Sequence, residues 1–233
     1  MMRIRRTTLA VVVAAIATLA GAAAVAVAAT IVGDDNDNQL FGTRDSDQIQ
    51  ALGGNDSVFA MAGNDFVDAG DGNDAVFGGP DGDQITAGAG NDTVDAGRGA
   101  DTVYGQDGND VLLGRRGPDL LRGRSGDDIV RGGRGADLVF AGPGVDTTFG
   151  GPGDDVMYAL ALSDAALPGG DTVHGGRGHD VIHVNDGESD AVNCGRDRDT
   201  AIVDLGDLDH VRHCEVVIQR APNPSEDQQE TGS

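Results

Sequence analysis

The chain of 233 residues contains no tryptophan and no lysine, and only 3% of it is aromatic. Aromatic side chains supply much of the buried area in an ordinary core, so a large conventional core is excluded. All 16 basic residues are arginines. That removes the lysine of a phosphate-binding P-loop, a Schiff-base lysine and a Ser-Lys dyad. Serine is sparse, and Ser125 lacks the flanking spacing of a nucleophile elbow. A long apolar run occurs only near the start, from Leu9 to Ala28.

What the chain has instead is glycine, 38 residues, and acid, 39 residues against those 16 arginines, for a formal charge of −23. The acid is periodic. An aspartate recurs every ninth residue: Asp47, Asp56, Asp65, Asp74, Asp83, Asp92, Asp101, Asp110, Asp119, Asp128, Asp137, Asp146 and Asp155. Two residues after each stands an aliphatic, from Ile49 and Val58 through Leu121 to Met157, with Thr148 the exception. Glycines precede the aspartate, as in Ala87-Gly88-Ala89-Gly90-Asn91-Asp92. Tandem self-similarity of this kind marks a repeat architecture.

A Gly/Asp/Asn-rich sextet followed by an x-aliphatic-x triplet reads as a turn and a very short strand. Glycine supplies the turn's unusual backbone angles, and alternation sends the aliphatic to one face and its neighbours to the other. Two nonapeptides then make one coil of 18 residues, and stacked coils give two parallel sheets around an aliphatic column. Odd and even aspartates fall on opposite edges, with neighbours in a row about 4.8 Å apart. Carboxylates that close repel. A hard divalent cation taking carboxylate and carbonyl oxygens answers the repulsion, and calcium is the usual one. About 11 such ions, adding about +22, bring the chain near neutrality.

These repeats resemble the G-G-x-G-x-D-x-U-x nonapeptides of the RTX (hemolysin-type) calcium-binding proteins. The nearest copies are Gly132-Gly133-Arg134-Gly135-Ala136-Asp137-Leu138-Val139-Phe140, Gly150 to Tyr158 and Gly175 to His183. The resemblance implies an all-β protein, a parallel β-roll (right-handed β-solenoid) of 18-residue coils with short caps at both ends. It implies calcium ions held between coils by the thirteen aspartates, joined by Asp171 and Asp180, and by turn carbonyls. Three turns depart from the pattern. Gly42-Thr43-Arg44-Asp45-Ser46 lacks the later glycine, Ala60-Met61 replaces a glycine pair, and Asp81 stands for glycine before Gly82-Asp83.

Six segments follow from this reading. Residues 1–29, with Arg3, Arg5, Arg6, the apolar run and Ala26-Val27-Ala28, read as a secretory signal, an uncleaved membrane anchor being the alternative. Residues 30–41 are expected to cap the first coil through Leu40 and Phe41, and 42–158 form the roll. Residues 159–183 hold an irregular insertion and further repeats. Residues 184–220 form a C-terminal cap in which Cys194 and Cys214 pair, as two cysteines of an exported protein do. Residues 221–233, rich in Pro, Gln and Glu, are expected to be a disordered tail.

On the outside, aromatics such as Phe59, Phe77, Phe140 and Tyr158 are expected to stack along the sheets, or to join Leu120, Ile129, Leu138 and Val156 in an apolar face for self-association. The arginines of 114–134 are expected to pair with carboxylates of neighbouring coils, an anionic surface polymer being the alternative and nucleic acid an unfavoured one. The spacings His179-x3-His183 and His210-x-x-His213-Cys214 only superficially suit zinc. The function expected is an exported, non-enzymatic calcium binder that folds on meeting the ion. A cell-surface or matrix adhesive module and a detached targeting module of a secreted hydrolase are the alternatives.

Overall fold

The computed structural model describes residues 28–159, 170–205 and 209–221. The expected leader before Ala28, all but Ala221 of the expected tail, and residues 160–169 and 206–208 lie outside those residues. Among the described residues every regular element is a strand, and there is no helix. Strands alternate between an eleven-stranded and a ten-stranded parallel sheet, so each 18-residue coil contributes one strand to each.

The register follows the aliphatics. In the eleven-stranded sheet Ile49 pairs with Val67, Ile85, Val103, Leu121, Val139, Met157 and Ile182 in succession. The ten-stranded sheet runs from Leu40 through Val58, Val76, Val94 and Leu112 to Val130. All these side chains are buried. The two columns meet between the sheets and form one continuous core. Each coil buries its face against the next, which is how a chain this poor in aromatics acquires a core.

Many strands are six residues long rather than three. Phe66–Asp71, for example, turns both Val67 and Ala69 inward. This second inward position is small throughout the roll, as at Ala51, Ala60, Ala87, Ala96 and Gly114, because it lies against the next aspartate. A Cβ on Gly114 would stand 2.5 Å from Asp119 Oδ2 and from the Gly132 carbonyl.

The ends differ from the expected caps. Residues 30–41 supply the strands Thr30–Val32 and Gln39–Phe41, which pair in register with Gln48–Gln50 and Ser57–Phe59. They are the first coil: Leu40 joins the core, and Phe41 lies outside against Phe59. Residues 184–220 likewise carry further coils, with strands Ala191–Arg196, Thr200–Asp204, His210–Arg212 and Val216–Arg220. The Cys194–Cys214 disulfide spans 20 residues there, and Cys194 occupies the small inward position. The register is kept across residues 160–169: Thr147 pairs with Thr172, and Val156 with Val181, 25 residues on.

Outside, rings stack coil upon coil as Phe41–Phe59–Phe77, as Phe140–Tyr158–His183 and as Phe149–His174. The single apolar face expected over 111–158 does not exist. Leu120, Leu138 and Val156 line up on the eleven-stranded sheet, whereas Val111 and Ile129 lie on the other. Consecutive repeats belong to opposite faces, so apolar residues contiguous in sequence are divided between them.

Candidate metal centre

Each aspartate ends a turn and enters a strand. Its backbone N–H points at the carboxylate of the equivalent aspartate one coil on. Asp47 donates to Asp65 Oδ1, Asp65 to Asp83, Asp83 to Asp101, Asp101 to Asp119, Asp119 to Asp137 and Asp137 to Asp155, at 2.7–2.9 Å. Along the other edge Asp56 donates to Asp74, then Asp92, Asp110, Asp128 and Asp146 follow at 2.7–2.8 Å. Across the insertion Asp146 reaches Asp171 and Asp155 reaches Asp180. All fifteen aspartates singled out in the sequence therefore stand in two ladders.

The ladders continue beyond them. Asp171 donates to Asp190 and Asp180 to Asp199. Asp190 and Asp199 then donate to Asp209 and Glu215. The last two are off the nine-residue period, and only the strand pairing brings them into line. A third ladder, unread in the sequence, runs the opposite way. The N–H groups of Asn73, Asn91, Asn109 and Asp127 donate back to the side chains of Asn55, Asn73, Asn91 and Asn109. Its trace was there, since asparagine precedes the aspartate in four successive even repeats.

One carboxylate oxygen is thus spent on the coil below. The other is not. Oδ2 of Asp56, Asp65, Asp74, Asp83, Asp92, Asp101, Asp110, Asp119, Asp128, Asp137, Asp146, Asp155 and Asp180 is buried and has no hydrogen-bond partner. Buried carboxylate oxygens ordinarily have partners, and an isolated buried charge is costly. Burial, aided by the neighbouring aspartates, pushes Asp74, Asp83, Asp119, Asp128 and Asp155 up to about 7. Asp146, beside Asp171, is pushed up to about 9. Asp171 is not among the aspartates with an unpartnered Oδ2, nor is Asp47, whose Oδ2 accepts from the Thr43 N–H. That turn is the one that lacks the later glycine.

The turns bring carbonyl oxygens to the same edges. The carbonyls of Gly72 and Gly90 each face the α-carbon of the matching glycine one coil further on, Gly90 and Gly108, where a Cβ would collide with them. Both residues hold left-handed φ angles, 134° and 132°. Conformation and space together demand glycine. Among the described residues no group of three or more His, Cys, Asp or Glu side chains gathers at one point. A cation held here would take carboxylates two at a time together with backbone oxygens, a donor set that suits calcium rather than zinc. The histidine spacings give no zinc centre: His183 stacks on Tyr158, and His213 bonds to Asn193.

Stacked parallel coils with paired carboxylates and glycine-lined carbonyls at each turn define a calcium-binding β-roll. The match to known sequences is equally direct. The RTX calcium-binding nonapeptide repeat family matches residues 32–67, 51–85, 86–121, 104–139, 122–157 and 166–188, and the chain belongs to that family. No curated protein matches the chain.

Proposed function

We propose that this is an exported calcium-binding protein whose coils close when calcium enters the turns. The ligands are the carboxylates of the thirteen periodic aspartates with Asp171 and Asp180, aided by turn carbonyls. The supporting observation is the double ladder of buried carboxylates, each with one oxygen satisfied by protein and, in most, one not. Calcium supplies the missing partner and offsets the −23 charge. Binding to the folded chain alone stabilises it by mass action, so the ion is both cement and folding trigger. Extracellular calcium is plentiful enough to fill modest sites, which agrees with the leader-like start.

The role is binding, not catalysis: carboxylates committed to calcium are not free acids or bases, and the matched family is a repeat domain. Equilibrium dialysis with radioactive calcium tests the reading. About 13 gaps separate neighbouring carboxylates in the two rows, so several ions per chain are expected, with magnesium a poor competitor. A stoichiometry of one or none overturns it.

A further inference from the structure

The arginines sort by sheet. Six residues after the aspartate, the ten-stranded sheet presents Arg98, Arg116, Arg134, Pro152, Arg177 and Arg196, paired strand to strand in one file. Arg134 and Pro152 close the gap in that file by lying on neighbouring strands of the same sheet. The same position on the eleven-stranded sheet carries Asp71, Ala89, Asp107 and Ser125. The repeats are otherwise equivalent, so general arginine content does not account for the division.

Arg98, Arg116, Arg134, Arg177 and Arg196 are exposed, and none makes an ion pair among the described residues. The other arginines of this region are engaged. Arg115 grips Asp95 with two bonds of 3.0 and 2.6 Å, Arg122 and Arg124 lie over Phe140 and Tyr104, and Arg131 covers Phe149. Of the arginines of 114–134, Arg115 shows the expected pairing with a carboxylate, whereas Arg116 and Arg134 in the file make no ion pair among the described residues.

Beside the file runs a trough. A central groove of about 530 Å³ is bounded by Leu113, Arg116, Arg134, Phe149 and Pro152. It shares Arg116 with a groove of about 480 Å³ reaching Arg98 and Pro80. At the other end it shares Phe149 and Pro152 with one of about 560 Å³ reaching Arg177 and Arg196. Asp95, the carboxylate in this lining, is already neutralised by Arg115.

We propose that the outer face of the ten-stranded sheet binds a linear acidic polysaccharide, laid along the roll axis across Arg98, Arg116, Arg134, Arg177 and Arg196. The file offers a cation on five of six coils, about 4.8 Å apart from Arg98 to Arg134 and from Arg177 to Arg196 and about 10 Å apart across Pro152, over about 24 Å in all. That matches an extended chain bearing one carboxylate per sugar, and guanidinium groups hold carboxylates through paired bonds. Leu113 and Pro152 give sugar rings an apolar floor. Single-stranded nucleic acid needs a run of free aromatic rings for stacking, and here Phe149 is covered by Arg131 and His174.

The test uses the full chain saturated with calcium, and titrates decagalacturonate, neutral dextran of similar length and decathymidylate. Decagalacturonate is expected to bind and dextran not. Affinity should rise with oligogalacturonate length until the file is spanned, and weaken with salt. The triple variant Arg98→Gln/Arg116→Gln/Arg134→Gln should lose at least about ten-fold, equivalent to about 1.4 kcal/mol. Arg44→Gln/Arg198→Gln/Arg220→Gln removes the same charge elsewhere and should change affinity less than about two-fold. Calcium-induced circular dichroism checks that both variants fold, and it reports on the calcium reading separately. No binding of decagalacturonate, equal losses in both triple variants, or tighter binding of decathymidylate overturns the proposal.

Discussion

The backbone N–H of Asp110 donates to Asp128 Oδ1, 2.7 Å away on the next coil, while Asp128 Oδ2 is buried with no hydrogen-bond partner. One side chain thus both ties two coils together and leaves a charge that protein atoms do not balance. Repeated along both edges, this relation makes the fold's best contact also its electrostatic burden. The consequences are measurable.

Without metal, stability should fall as pH rises. Burial raises the folded-state values of Asp74, Asp83, Asp119, Asp128 and Asp155 to about 7, against about 3.9 in an unfolded chain. The folded chain therefore holds more protons across that window, and stability present below about pH 4 is lost through about pH 7. With saturating calcium the trend reverses, because the ion requires deprotonated ligands. Urea melts in chelator and in calcium, at pH 4.5 and 7.5, check both signs.

Asp119→Asn should invert its effect with calcium. The amide oxygen still accepts from Asp101, but the charge is gone. In chelator at pH 7.5, where the parent is largely unfolded, the variant should be shifted toward the folded state by about 1–3 kcal/mol, read as a gain in β-sheet circular dichroism, since an unpaired buried charge has been removed. In calcium it should bind fewer ions and melt earlier.

Substitutions in the turns should divide by backbone angle. At Gly117, φ is 126° and a Cβ would collide with the Gly99 carbonyl, so Gly117→Ala should cost well over 1 kcal/mol. Met61 is an exposed non-glycine residue at φ 83°. Met61→Gly should stabilise by about 0.5–1 kcal/mol, the left-handed cost of a side chain less glycine's extra unfolded freedom. Thermal melts in calcium decide both.

Removing the staple should loosen the C-terminal coils first. Cys194→Ser/Cys214→Ser opens a loop of 20 residues, with a chain-entropy cost of about 3 kcal/mol. Hydrogen exchange should rise in Ala191–Arg220 before it rises in the central coils.

The sequence carried the coil length, the inward aliphatics and the aspartate rows, because each depends on a strict period and strand alternation. It could not carry what depends on pairing across breaks in that period. Asp209 and Glu215 join the ladders only because strands around lengthened coils remain in register. Residues 30–41 are expected from sequence to cap the first coil through Leu40 and Phe41, yet Leu40 has the inward phase and pairs with Val58 as part of a coil. The apolar face dissolved, and the arginine file emerged, for one reason: residues nine apart face opposite ways, and residues 18 apart share a face.

The most direct test of the central claim is far-UV circular dichroism of the chain from Thr30 onward, disulfide intact, at pH 7.5 in chelator, titrated with calcium and separately with magnesium. The account predicts a largely unfolded spectrum that becomes a β-sheet spectrum with calcium and not with magnesium, cooperatively, in the micromolar to millimolar range. A full β-sheet spectrum in excess chelator, unchanged by calcium, would contradict it and leave the aliphatic column and the disulfide sufficient to hold the roll.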